Sequence, residues 1–304
     1  MAIETDIFSD SAMIGSNRFK KKIHAETVIT HFVCIIAAVL TVSLLVGIIA
    51  YILAKGLPAI NWEFLSQAPS FLEQTYGILP MIINTVILVL LGLLITLPIG
   101  IGAALYLSEY AKQGKFISII RFTIEILSGI PSIIFGLFGA LFFVSFFNMG
   151  YSILAGAFTL AVITLPVVIR TTEESLKAVD TSYREAAMSM GVNRLHIIRT
   201  ILLPCSMPGI VTAIILSIGR MVGESAALLC TSGTAYDLPA SFFGHIMESG
   251  ASLSVQLYQC FTERPPGMSD ETPFAIAAIL MIIVFCLNLL TGLIASKFRK
   301  GTDA

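Results

Sequence analysis

Four charged residues stand inside long apolar runs: Arg121 and Glu125 in one, Arg220 and Glu224 in another. A charge at the centre of a membrane helix costs about 2.5–3.5 kcal/mol on insertion scales, so each needs a compensating environment. Both pairs are spaced i, i+4, which lets the two members neutralise one another on one helix face. The face of Arg121 and Glu125 continues with Ser128 and Ser132, and that of Arg220 and Glu224 is flanked by Ser217 and Thr231. Such stripes face a bundle interior or water. A guanidinium there keeps its charge and offers planar, paired donors suited to an oxyanion. Depth separates the pairs. Arg121 is about 8 Å from the cytoplasmic end of its run, where a long side chain can also snorkel to water. Arg220 is about 18 Å in, where the alternative is a structural ion pair between helices.

The elements that must hold these charges are set by composition. Hydrophobic residues are 56% of the 304 and charged residues 12%, a balance no soluble core of this size uses. The apolar periodicity places helices at 28–54, 78–107, 116–146, 152–170, 208–230 and 273–297. The expectation is an all-α membrane protein with six transmembrane helices. Pro98, Pro131 and Pro166 lie inside these runs and mark kinks, since neighbouring helices satisfy the freed carbonyls. The first run is too long for a signal-peptide core, so it reads as a retained helix.

Lys and Arg then orient the chain. Arg18, Lys20, Lys21, Lys22, Lys112, Lys115, Arg170, Lys177, Arg184, Arg194, Arg199, Lys297, Arg299 and Lys300 all fall on one side of six spans. The other side receives only Lys55 and Arg264, beside the acidic Asp237, Glu248, Glu263, Asp270 and Glu271. Both termini are therefore expected in the cytoplasm. The segments divide into a cytoplasmic tail 1–27, a first helix with its outer segment 28–74, a main domain 75–297 that holds the other five runs, and a cytoplasmic tail 298–304. Within that domain 171–207 is a cytoplasmic loop and 231–272 an extracytoplasmic one. Trp62 and Tyr76 suit the membrane interface.

The cytoplasmic loop reads as two short helices at an angle. Ser182 and Glu185 fit a capping box opening the first. Gly191 suits the left-handed residue that closes it, and Asn193 caps the second. Leu195, Ile198 and Leu202 form the apolar stripe of the second helix, and Pro204 stops it. Such a hairpin either offers a knob to a cytoplasmic protein or lies on the headgroups with Arg194 and Arg199 facing lipid phosphate.

Glu185-Ala186-Ala187, then Gly191, then Ile201-Leu-Leu-Pro204 resemble the EAA loop of the permease subunits of ABC importers. In that family the loop is a coupling helix seated in a groove of the ATPase subunit. Three further runs are similar to the phosphate permeases: PIGIGAALYLSEY over 98–110, GIPSIIFG over 129–136 and GRMVGE over 219–224. The spacing after Glu224 and Asn288 near the end of the last helix resemble the PstA type rather than its PstC partner. Asn84-Thr85 departs from the Gly-Thr expected there.

The resemblance covers about 75 to 300. It implies the type I ABC importer permease fold in the cytoplasmic membrane of a prokaryote. It also implies a PstB-like ATPase, a second PstC-like permease and an extracytoplasmic PstS-like phosphate-binding protein. Phosphate would pass by alternating access. Arg220 and Glu224 match the family's Arg and Glu implicated in translocation, with Arg121 and Glu125 as further candidates. Glu185, Ala186, Ala187 and Gly191 match the coupling motif. The nearest alternative is another oxyanion, sulfate or molybdate, on the same scaffold; a secondary transporter or channel is the alternative of another class.

The chain has no Walker A motif, no Gly-rich nucleotide loop and no catalytic set, so it is expected to be no enzyme and to hold no cofactor. ATP-Mg belongs to the partner ATPase. The net charge of -1 suggests no nucleic acid, and lipid is the remaining partner. Cys34, Cys205, Cys230, Cys260 and Cys286 have no metal-ligand spacing, and His24, His31, His196 and His245 are scattered. Glu185→Lys is expected to leave the protein inserted while lowering coupled transport at least about tenfold, the scale of one reversed interfacial charge. Normal transport by the assembled mutant complex would remove Glu185 from the docking contact.

Overall fold

The computed structural model describes residues 4–70, 75–112, 114–236, 242–263 and 268–300, with side chains omitted for 4–29, 70, 75, 242–243 and 294–300. The chain divides into two units, residues up to Ala54 and residues from Lys55 onward. The first unit is most of one helix, α1 (Glu4–Gly56), which starts well before the expected residue 28.

The second unit opens with an outer segment. It carries α2 (Trp62–Ser66), capped by Asn61, whose carboxamide accepts the Phe64 N–H at 2.7 Å. A two-residue antiparallel pair follows, β1 (Pro69–Ser70) with β2 (Thr75–Tyr76), in register Pro69 to Tyr76. Trp62 is exposed, as an interface anchor would be.

The bundle is built from α3 (Leu79–Leu105), α6 (Ile153–Lys177), α9 (Leu203–Gly223) and α13 (Thr272–Lys300). α6 is central: 67% of its apolar window is buried, against 28% for α3 and 33% for α9. Its buried small residues Ala155, Ala157 and Ala161 let both neighbours approach closely. Thr96 of α3 and Thr164 of α6 meet at 3.3 Å between hydroxyls, each also donating to a carbonyl one turn back. Met81, Leu88, Leu160, Ile218, Met221 and Ile276 form the main core.

Among the described residues, five single helices are long and apolar enough to cross a membrane, and α4 (Lys115–Gly129) with α5 (Ser132–Gly139) and its continuation reaches that length and composition only as a pair. That pair is bent by 101° at Ile130-Pro131. The expected single helix over 116–146 is therefore broken, not kinked. Ile130 is extended, because a residue before proline is pushed out of the helical region.

Three π turns lengthen helices: Tyr106–Tyr110 after α3, Ala140–Phe146 after α5, and Ile198–Leu202 between α8 (Arg194–Ile197) and α9. The last corrects another expectation. Pro204 does not stop a helix; the run is continuous from Arg194 to Gly223. The π turn resets the hydrogen-bond register, so Pro204 stands in the first turn of α9, where its missing N–H is not needed.

The fifth span also ends early, at Gly223 and not 230. A short α10 (Ala226–Leu229) follows the break. The expected outer loop 231–272 folds back into the bundle as α11 (Phe242–Ile246) and α12 (Leu253–Thr262), burying His245, Leu253, Val255 and Cys260. Asp237 and Arg264 of that loop lie outside the described residues. Single cysteines on a background lacking the five native ones check the topology. Glu248→Cys should react with an impermeant maleimide in intact cells, and Met190→Cys only after permeabilisation, both side chains being exposed. Outside labelling at 190 would invert the assignment.

Candidate functional site

The cytoplasmic hairpin is α7 (Thr181–Ser189) turning into α8. Its cap is Asp180, not Ser182. The Asp180 carboxylate accepts the Ser182 N–H at 2.8 Å, and that backbone bond holds its pKa below the usual carboxylate value. The chain closes at Gly191 with φ +75, as expected, and Asn193 caps α8 by accepting from Leu195 N. An added Cβ at Gly191 would meet nothing within 4 Å, so a substitution there acts through backbone strain and not by clash. Glu185 and Ala186 face outward with Tyr183, Met188 and Met190, whereas Ala187 is buried. The buried stripe of α8 and the π turn after it is Ile197, Ile198 and Leu202; Leu195 is exposed.

The interior charges do not pair as their spacing suggests. Arg121 reaches across to α6, where its Nη2 lies 2.8 Å from Glu173 Oε1. Lys177 Nζ reaches the same oxygen at 2.7 Å. Arg170 pairs with Glu174 at 2.9 Å. With Glu125 and Ile124 these residues line a cavity of about 200 Å³ near the cytoplasmic end. Its three cations, Arg121, Arg170 and Lys177, face as many carboxylates, Glu125, Glu173 and Glu174. A balanced cavity does not attract an anion, so Arg121 reads as a clamp between α4 and α6. Glu173 was hidden in the sequence because the apolar run ends at Arg170, while the helix continues to Lys177.

Arg220 and Glu224 are separated for a different reason. An i, i+4 pair requires helix through both residues, but Glu224 is the first residue outside, with ψ 117. Its carboxylate accepts the Ala227 N–H at 3.2 Å, capping α10, and its carbonyl accepts from Ser254 Oγ at 2.7 Å. The Glu224 side chain is thus committed to the break. Arg220, half-buried in the last turn of α9, has no hydrogen bond or ion pair among the described residues.

The break meets the other one. Ala227 packs with Phe135 of α5 and Ile163, in the middle stretch of α6. A Cβ on Gly136 would sit 2.7 Å from Ala227 Cα, so only glycine permits this approach. Two interrupted helices therefore come together partway along the central helix, the arrangement in which membrane proteins expose backbone groups to a transported ion.

Outward of the break, Asn84 and His245 were not legible as partners. Asn84 Nδ2 donates to Ala251 O at 3.0 Å, and its Oδ1 accepts from His245 Nε2 at 2.6 Å. Thr85 Oγ1 accepts the Leu253 N–H at 2.9 Å. The Asn84-Thr85 departure from the family pattern thus has a structural use: it pins the returning segment to α3.

A profile of the binding-protein-dependent transport system inner membrane component family matches residues 96–300. The chain belongs to this family. The permease is 38% identical over 278 residues to the probable ABC transporter permease protein YqgI of Bacillus subtilis, covering 88% of this chain and 95% of that protein. It is 35% identical over 243 residues to the phosphate transport system permease protein PstA of Haemophilus influenzae, covering 80% and 84%. It is 33% identical over 273 residues to PstA 2 of Mycobacterium bovis, covering 89% and 87%.

Solved structures share the fold. A chain of the inward-facing MetNI methionine ABC transporter is 22% identical, with TM-score 0.55 over 73% of this permease and 94% of that chain. A chain of a bacterial transporter involved in alginate import is 15% identical, with TM-score 0.55 over 85% and 95%. The permease is a non-catalytic, multi-pass subunit of the prokaryotic cytoplasmic membrane, of type I importer fold, working with a separate ATPase and a substrate-binding protein. Gly136→Ala should destabilise the meeting of the two breaks by about 1–3 kcal/mol through overpacking. Gly102→Ala, whose Cβ meets nothing within 4 Å, should be neutral. Thermal unfolding of the purified complex compares them, and equal midpoints would mean the breaks tolerate separation.

Proposed function

We propose that this chain is the permease subunit of an ATP-driven phosphate importer, with Arg220 as the residue that meets phosphate in transit. The observation that carries the reading is the state of Arg220. It is a permanent cation half-buried at a helix break, and the carboxylate one turn on is occupied elsewhere. An oxyanion with several acceptor oxygens is the natural complement of a planar guanidinium in such a place. The similarity to phosphate permeases of two other bacteria supports phosphate as that oxyanion.

In this reading the hairpin carrying Glu185, Ala186, Ala187 and Gly191 seats on a PstB-like ATPase. A PstC-like permease completes the pathway, and a PstS-like protein delivers phosphate from outside. Closure of the ATPases draws the hairpins together and exposes the Arg220 level alternately to each side. Glu224 holds the break open by capping α10, and so acts through geometry. Arg121 and Glu125 belong to the balanced cytoplasmic clamp and lie off the proposed contact.

The test is ATP-dependent uptake of labelled phosphate by the reconstituted complex, with sulfate as competitor. Arg220→Gln should lower uptake at least about tenfold, as expected for lost charge-assisted hydrogen bonds, with complex yield retained. Arg220→Lys should fail largely too, because an ammonium lacks the paired donors. Exchanging the two charges, Arg220→Glu with Glu224→Arg, should not restore uptake, since these residues are not partners. Recovery in that double variant, or full uptake by Arg220→Gln, would end the proposal; displacement of phosphate by sulfate would redirect the substrate.

A further inference from the structure

Among the described residues, the polar contacts of the hairpin with the bundle gather at the cytoplasmic ends of α3 and α6. Arg184 of α7 donates through Nη2 to Glu109 Oε1 at 2.8 Å and to the Leu176 carbonyl at 2.9 Å. The Glu109 side chain is 8% exposed and that of Arg184 21%. Ser108 Oγ donates to the same carboxylate oxygen at 3.0 Å. Arg194 of α8 lies over the Tyr110 ring at 5.7 Å. Ala187 shares an apolar cluster with Leu107, Leu176 and Ile197. Both arms of the hairpin thus grip the π turn Tyr106–Tyr110.

The far side of that turn is held as well. The Leu107 carbonyl accepts from Arg121 Nη2 at 3.1 Å, and Arg121 is ion-paired to Glu173. Leu107 and Leu176 both carry carbonyls from the last turn of a helix, which have no partner further along their own chain. Arginines satisfy both, and their charge also suits the negative end of a helix dipole. Apolar contacts let helices slide; directional contacts to buried charges move together or break.

We propose that the π turn Tyr106–Tyr110 is the junction through which displacement of the cytoplasmic hairpin reaches the bundle, with Arg184 and Glu109 as its positioning pair. A push on α7 moves Glu109 at the end of α3. It passes through the Leu107 carbonyl and Arg121 to α4, and through Glu173 to α6. The inference rests on reading the hairpin as the ATPase contact, and it assigns α3 as a helix that responds directly, beside α6, whose Leu176 carbonyl Arg184 also holds. Neither Arg184 nor Glu109 touches the transported ion; they act through position.

The test compares ATP hydrolysed with phosphate imported by the complete transporter in proteoliposomes. Glu109→Gln keeps the size of the side chain and an acceptor for Arg184 but removes the charge. It should keep the ATPase subunits bound and hydrolysis within about twofold, while uptake falls at least about tenfold, so that ATP spent per phosphate rises several-fold. Arg184→Gln should behave alike, and Arg184→Glu with Glu109→Arg should regain most of the coupling ratio.

A merely structural pair predicts a different result. Complex yield, hydrolysis and uptake would then fall in proportion, with the ratio unchanged, and that outcome overturns the proposal. So does full uptake by Glu109→Gln, or loss of assembly in both single variants and the exchange. A wild-type complex that imports no phosphate would instead fail the functional reading above, leaving the two failures distinct.

Discussion

Hydrocarbon offers no partner to a freed backbone group or an unpaired charge, and every irregular feature of this permease is arranged around that constraint. Two helices are interrupted at Ile130-Pro131 and at Glu224-Ser225, and both interruptions lie against α6. The buried carboxylate of Glu224 is used where the constraint bites hardest, on a backbone N–H opened by the break. That use removes it from Arg220. The lone charge of Arg220 therefore follows from a backbone requirement: once the helix ends at Gly223, capping and charge neutralisation compete for one side chain, and the cap has the geometry.

Contacts between distant parts of the chain gather at three levels, polar at the two ends and close-packed in the middle. At the cytoplasmic end, Arg121, Glu173, Lys177, Glu109 and Arg184 tie helix ends together. At the middle level the breaks meet through Gly136 and Ala227. On the outer side Asn84, His245, Thr85 and the 251–254 segment form a buried hydrogen-bonded cap, and Ser254 links that cap to the Glu224 carbonyl. Between these levels the packing of α3, α6 and α9 is largely apolar, with small residues on α6 and one buried hydroxyl pair, Thr96 with Thr164. Stiff polar nodes joined by smooth apolar surfaces suit a protein whose helices must change their mutual angles without exposing charge to lipid.

Much of this was readable beforehand. Apolar run lengths located the spans, because a bilayer demands about 20 such residues whatever surrounds them. Gly191 and Asn193 announced the hairpin's turn and second cap, since φ above zero and short polar caps are local demands. Differences arose where one local signal met a stronger competitor, near or distant in the chain. Ser182 matches a capping pattern, but Asp180 two residues earlier takes the role with the stronger acceptor. Pro204 is a stop signal that a π turn made harmless. The segment 231–272 reads as a plain loop by polarity, yet it carries two short helices, and Asn84 and Glu224 supply the partners that pin it to the bundle.

The sequence by itself determined the class of protein, the approximate place of its apolar runs, the turn of the hairpin and which side chains carry charge into those runs, because these depend on composition and on spacing along one helix. Tertiary structure decided how the four charges inside the apolar runs are neutralised, whereas Arg170–Glu174 and Lys177–Glu173 follow i, i+4 spacing along α6. Spacing of i, i+4 named Glu125 as partner of Arg121 and Glu224 as partner of Arg220; the fold gave Arg121 to Glu173, 52 residues away, and left Arg220 with none among the described residues. The physical reason is that an ion pair needs only proximity, and proximity in a bundle is set by where helices break and which faces pack, neither of which is encoded in the spacing of two residues.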